Sequence, residues 1–243
     1  MLTLAMFLPL AGAAPLAFVR EHHARRIKVW ATAVSVITLA LALALGVRFS
    51  PEGALYQFDS QSAWIRWGGL KIDYAVGLDG ISLLLFGLTA LIAPLAILGS
   101  WNYIRHRQKE FYIAMLALET ALLGVFAARD LFLFYVFFEA SLIPLYLIIG
   151  VWGGEERLYA TTKFVIYTAL GSLLLFVTIL FVYFKTGGQS FSIVELTARL
   201  ADLRERGALT RAEEFWCFWG FALAFAIKAP LFPLHTWLPD AHV

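Results

Sequence analysis

Four side chains place an ionisable group where the surrounding sequence would normally exclude one: Glu119, Glu139, Lys228 and His235. The first three lie near the middle of long apolar runs, and His235 follows in a proline-interrupted segment. A carboxylate or ammonium at bilayer depth costs about 2.5–3.5 kcal/mol on insertion scales, so such groups face a protein interior, find partners and mark ion or proton paths. Carboxyl, amine and imidazole are the side-chain groups that take up and release protons. Glu139 and Lys228 sit at heights differing by about 6 Å at 1.5 Å rise per residue, a gap that a lysine side chain can bridge. A Glu139–Lys228 pair is therefore feasible. At about 4 Å and an effective dielectric of 20 the two charges would attract by about 4 kcal/mol. Moving one charge against 100 mV costs about 2.3 kcal/mol, a comparable amount. Two readings stand: the pair passes a proton, or it only fixes two helices in register. Glu119 reads either as an additional member of the relay or as a protonated carboxyl hydrogen-bonded locally.

The residues around Lys228 add to the first reading. Pro230 and Pro233 each lack the amide that would bond four residues back, which would release the carbonyls of Ala226 and Ala229 beside the lysine. Broken helices at membrane depth are tolerated where they line a buried or watery cavity. His235 is seven residues from Lys228 and would share its face if the helix continued. Pro144, five residues after Glu139, similarly frees the carbonyl of Ala140.

The elements that must hold these groups are membrane helices. Of 243 residues, 61% are hydrophobic and 15% charged, against about 25% charged in soluble domains. Disorder, collagen and a disulfide scaffold are excluded: Cys217 is the single cysteine and glycine shows no period. Seven apolar stretches can be drawn, at 2–19, 29–47, 80–101, 111–128, 131–151, 164–184 and 215–236, each long enough to span most of a hydrocarbon core of about 30 Å. Among all 19 Lys and Arg and 17 Asp and Glu, only Glu119, Glu139 and Lys228 fall inside these stretches. The expected fold class is all-α, a polytopic helical membrane protein with a broken seventh helix, in a single transmembrane domain over 1–243.

Orientation follows from the loops. Arg20, Arg25, Arg26 and Lys28 follow the first stretch, and Arg105, Arg107 and Lys109 follow the third. Short loops rich in Lys and Arg stay cytoplasmic, so the amino terminus is expected outside. The connections 48–79, Arg129-Asp130 and 185–214 then face outward. Trp30, Trp101, Trp152 and Trp216 mark span ends. A signal peptide is disfavoured because the basic cluster follows the first apolar run instead of preceding it. Within 185–214, Ser192 and Glu195 form an S-x-x-E capping-box pattern. Ile193, Leu196, Leu200 and Leu203 share one face, acid–base pairs stand at Glu195–Arg199 and Asp202–Arg206, and Gly207 supplies the stop. An amphipathic helix over 193–206 is predicted on the outer membrane face, either tying two spans together or offering a partner surface.

Two stretches resemble a known family. Asp130–Gly154, DLFLFYVFFEASLIPLYLIIGVWGG, and Ala226–His242, AIKAPLFPLHTWLPDAH, are similar to the antiporter-like membrane subunits of respiratory complex I, most of all the group of subunit M and its mitochondrial counterpart, subunit 4. The resemblance implies a non-redox subunit of a proton-translocating NADH:quinone oxidoreductase. Glu139 matches the family's fifth-helix glutamate, Lys228 its partner lysine on the broken helix, and His235 a histidine on the path to the central axis; Glu119 matches no assigned position. No cofactor or metal is expected in this chain, since no Gly-rich fingerprint or Cys cluster occurs. NADH, FMN, iron–sulfur clusters and quinone are expected in partner subunits. The expected partners are other membrane-arm subunits and the lipid bilayer, with no nucleic acid. The alternatives are a subunit of a multisubunit cation/proton antiporter or membrane-bound hydrogenase, or a structural membrane scaffold. Members of this family continue through a second inverted repeat, so a chain ending at Val243 is expected to be a fragment or truncated product. The expected location is a bacterial inner membrane, with the mitochondrial inner membrane as the alternative.

Overall fold

A computed structural model describes residues 1–68 and 70–242; Val243, on which the expected truncation rests, lies outside the described residues. The chain is largely helical. In order it forms α1 (Leu2–Phe18), a short 3-10 turn (Glu21–His23), α2 (Ala24–Arg48), β1 (Gln57–Trp67), β2 (Leu70–Leu78), α3 (Gly80–Gly99) and α4 (Gln108–Ala127). These are followed by α5 (Leu131–Ala140), α6 (Leu142–Trp152), α7 (Arg157–Lys185), α8 (Ile193–Glu205), α9 (Arg211–Lys228) and α10 (Trp237–His242).

Among the described residues, five helical segments are long and apolar enough to cross a membrane: Ala24–Arg48, Gly80–Gly99, Gln108–Ala127, Leu131–Trp152 (α5 and α6 together) and Arg157–Lys185. The first helix is apolar but has only 17 residues. On α3, Leu84, Leu88, Leu91 and Leu95 recur at helical spacing and are all exposed, the pattern of a helix face turned to lipid.

The seventh stretch is broken as expected: within 215–236, α9 stops at Lys228 and a run of turns separates it from α10. The sixth begins earlier than predicted, because Arg157 and Lys163 are helical and not loop. The all-α expectation also misses one element. The connection 48–79 contains β1 and β2, a two-stranded sheet, with Gly68 at φ +56 beside the turn, a conformation that suits glycine.

The chain divides into two compact units. The first comprises Met1–Gln61, Ala75–Ala128 and Val136–Ile148. Within it α1 packs on α2 and α4, and α3 packs on α2 and α4. Leu2, Met6, Leu16, Ile27, Leu45, Phe86 and Tyr112 fill its interior. A Cβ at Gly12 would collide with Val34, so glycine is what lets α1 and α2 approach closely. The second unit comprises Ser62–Tyr74, Arg129–Tyr135 and Ile149–Val243. There α7 packs on both α9 and α10. The predicted amphipathic helix is α8: Leu196 is buried, Ile193, Leu200 and Leu203 are half-buried, and the other side is exposed.

Candidate functional site

In the first unit, Glu119 projects from α4 into packed protein and is 2% exposed. Among the described residues, neither of its carboxyl oxygens reaches a partner within ordinary hydrogen-bond geometry. The hydroxyl facing it is that of Ser35 on α2, itself 0% exposed and also without a hydrogen-bond partner. The neighbouring Thr120 is engaged differently: its Oγ1 accepts from the Leu10 amide at 3.0 Å and ties α4 to α1. Ser35 is the group that a locally hydrogen-bonded Glu119 carboxyl would use. A buried carboxyl beside an orphaned hydroxyl is an arrangement that one bridging water would satisfy.

Glu139 also belongs to the first unit and is half-buried at the penultimate position of α5. The helix is interrupted just beyond it, at Ser141, three residues before Pro144. The Ser141 amide bonds Phe137 O at 3.1 Å, and its hydroxyl donates to Phe138 O at 2.7 Å. Phe137 leans into the space that a Cβ at Gly124 of α4 would occupy.

The start of α5 is fixed within the second unit. Asp130, 2% exposed, caps the helix: Oδ1 accepts from the amides of Phe132 at 2.9 Å and Leu133 at 3.0 Å. Oδ2 accepts from the Asp73 amide at 3.3 Å. Burial pushes this carboxyl above its ordinary range, opposed by those same amides. Leu131 N bonds Phe191 O at 2.8 Å and Ile193 N bonds Arg129 O at 3.0 Å, so α5 and α8 begin side by side.

Lys228 and His235 lie in the second unit. Lys228 is the last helical residue of α9 and half-buried. The prolines break the helix as the sequence predicts, but the loose carbonyls are handled differently. Ala226 O, which Pro230 cannot serve, accepts from Leu231 N at 2.8 Å. That diversion strips Ile227 O of its usual helical donor, and the indole Nε1 of Trp237 donates to it at 2.9 Å. Because the helix unwinds, the condition under which Lys228 and His235 would share a face is not met. His235 stands at the end of the unwound run, half-buried, with Nδ1 lacking a hydrogen-bond partner among the described residues.

Beyond the break, α10 is fastened to α7. Lys163 Nζ bonds Asp240 Oδ2 at 2.6 Å, Thr236 Oγ1 donates to Tyr167 OH at 2.9 Å, and the Trp237 ring lies 5.1 Å from that of Phe164. None of these ties was singled out from the sequence. The spacing 163/164/167 against 236/237/240 carries the signal, but only once the chain is known to turn back.

The predicted capping box at Ser192 is corrected. Ser192 makes no side-chain cap bond. Its amide donates to Ser190 Oγ at 3.1 Å, so the donor that Glu195 would take is occupied, and Glu195 reaches Arg199 instead at 3.9 Å. Capping boxes do form at Asp79/Ser82 and Thr210/Glu213. Among the described residues no group of three or more His, Cys, Asp and Glu gathers as metal ligands would.

Among the described residues, helices long and apolar enough to cross a membrane, beside a further helix that ends in a half-buried lysine at a proline break, define a polytopic membrane protein. Comparisons with known proteins narrow that class. Residues 1–125 match the family described as NADH-ubiquinone oxidoreductase chain 4, amino terminus, and residues 128–243 match NADH:quinone oxidoreductase/Mrp antiporter, TM. The chain is 42% identical over its whole length to NADH-quinone oxidoreductase subunit M of Rhodobacter capsulatus, covering 48% of that protein. It is 39% identical over 97% of its length to NADH-ubiquinone oxidoreductase chain 4 of Prototheca wickerhamii, covering 46% of it. A chain of respiratory complex I from Thermus thermophilus with bound NADH superposes with a TM-score of 0.82 at 36% identity, over 99% of this chain and 46% of that one. The chain belongs to the NADH-quinone oxidoreductase subunit M/chain 4 family. It spans about half the length of the relatives it matches.

Proposed function

We propose that the chain forms part of a proton-translocating membrane-arm subunit of an NADH:quinone oxidoreductase, with Glu139, Lys228 and His235 carrying the proton and Glu119 as an additional member. The observation that carries this reading is the break itself: a helix that ends on Lys228 and unwinds for the stretch leading to His235. Unwound backbone at membrane depth is expensive unless it lines a functional cavity, and an ionisable residue at that depth marks an ion path by default. Glu139 is the half-buried carboxylate and Lys228 the half-buried ammonium that this reading assigns to the path. Glu119 and Ser35, both buried and unsatisfied, fit a water-bridged proton position.

This reading places the NADH, FMN, iron–sulfur and quinone chemistry in partner subunits of the membrane and peripheral arms. The chain then has its amino terminus outside and lies in a bacterial inner membrane, or in its mitochondrial counterpart. A multisubunit cation/proton antiporter is the second reading, favoured by the shared description matched over 128–243. The match of 1–125 to the chain 4 amino terminus favours the first.

The test is a neutral, volume-matched double substitution, Glu139→Gln with Lys228→Met, in the full-length protein. Proton translocation in membrane vesicles should be lost while the complex still assembles. Full translocation in the double variant would show that the two charges serve only as packing.

A further inference from the structure

We infer that Lys163 and Asp240 are positioning residues, an ion-paired clasp between α7 and α10 that holds the unwound stretch 229–236 in the geometry proton transfer requires. The inference rests on the proposed proton path but on different residues. Only part of the unwound run is held by its own backbone: Leu231 N bonds Ala226 O, and Leu234 N bonds Leu231 O at 2.6 Å. Its far end is joined to α10, where His235 O accepts from Leu238 N at 2.9 Å, and α7 anchors α10. Lys163, Phe164 and Tyr167 occupy one face of α7 at i, i+1 and i+4. They meet Asp240, Trp237 and Thr236, which sit on α10 and just before it at the mirrored spacing.

The Lys163–Asp240 contact is more than an ordinary surface pair. At 2.6 Å it is a charge-assisted hydrogen bond, its side chains are only 22% and 35% exposed, and the Tyr159 ring lies 5.6 Å from the ammonium. Three adjacent ties give one fixed geometry, which a lone exposed pair does not. They hold the segment that ends in His235, whose ring lies 5.6 Å from that of Phe232 within the same stretch.

The test uses the full-length protein in its native membrane, with Cys217→Ser and any other cysteine replaced, and Leu234→Cys as a reporter inside the unwound stretch. Two readings are taken: the rate of labelling by a membrane-permeant maleimide, and proton translocation. Lys163→Ala and Asp240→Ala should each raise labelling about tenfold, the factor expected from losing one charge-assisted hydrogen bond, and should lower translocation. The swapped pair, Lys163→Asp with Asp240→Lys, should return both readings toward the starting protein, as should the charge-keeping Lys163→Arg. If the alanine variants do not accumulate, Lys163→Gln and Asp240→Asn serve the same comparison. Unchanged labelling in the neutral variants would overturn the clasp. Raised labelling with undiminished translocation would leave the clasp standing and overturn the route through His235.

Discussion

The indole of Trp237 does for Ile227 what the next helical turn would have done. Pro230 cannot donate to Ala226 O, Leu231 shifts to fill that place, and the unmet need moves one residue along to Ile227 O. An unsatisfied carbonyl in apolar surroundings is expensive, so the displaced bond must be made somewhere. Trp237→Phe keeps the ring against Phe164 and removes only the N–H. It should cost about 1–3 kcal/mol of stability, read as a lower melting temperature in detergent. Trp216→Phe, at an exposed site on α9, should leave melting unchanged and serves as the control. The need for such a donor was legible in the two prolines; its identity was not, because Trp237 returns to Ile227 only through the fold of the intervening turn. Glu119 shows the converse. Its burial was legible from the apolar run around it, whereas its facing residue, Ser35, lies on a helix far away in sequence.

At the scale of elements, α7 acts as a post with an ion pair near each end. Lys163 holds α10, and Lys185 bonds Glu213 at the start of α9 at 2.6 Å. The two lysines are about 33 Å apart at 1.5 Å per residue, close to the thickness of a hydrocarbon core of about 30 Å. Glu213 is doubly used: the Lys185 ammonium first, then the Thr210 amide and hydroxyl, hold its carboxyl down to about 2 from an ordinary 4.5. A depressed acid contributes stability that is fully present above pH 4.5 and is lost as pH falls toward 2. Glu213→Gln should therefore melt below the starting protein at pH 7, with the difference shrinking between pH 4.5 and 2. A difference independent of pH would show that the pair contributes nothing through its charge. Most helices were legible because lipid demands long apolar runs, and prolines at 144, 230 and 233 marked both interruptions. The hairpin was not read, since its mixed-polarity strands resemble a loop when set beside long apolar runs, even with Gly68-Gly69 between them. Ser192 offered a capping pattern that Ser190 pre-empts, while the equivalent pattern at Thr210 and Glu213 passed unnoticed beside the start of a span.

At the scale of the whole molecule, the division of charge is the organising fact. The ionisable groups inside the apolar stretches fall in both units: Glu119 and Glu139 in one, Lys228 with the following His235 in the other. The family match spans both units, and the chain covers about half of its relatives, so transport is tested in the full-length protein. The most direct measurement is proton translocation per electron transferred, in vesicles bearing Glu139→Ala or Lys228→Ala with assembly confirmed. The account predicts that translocation collapses in each variant while the complex remains assembled. Undiminished translocation in both would contradict it.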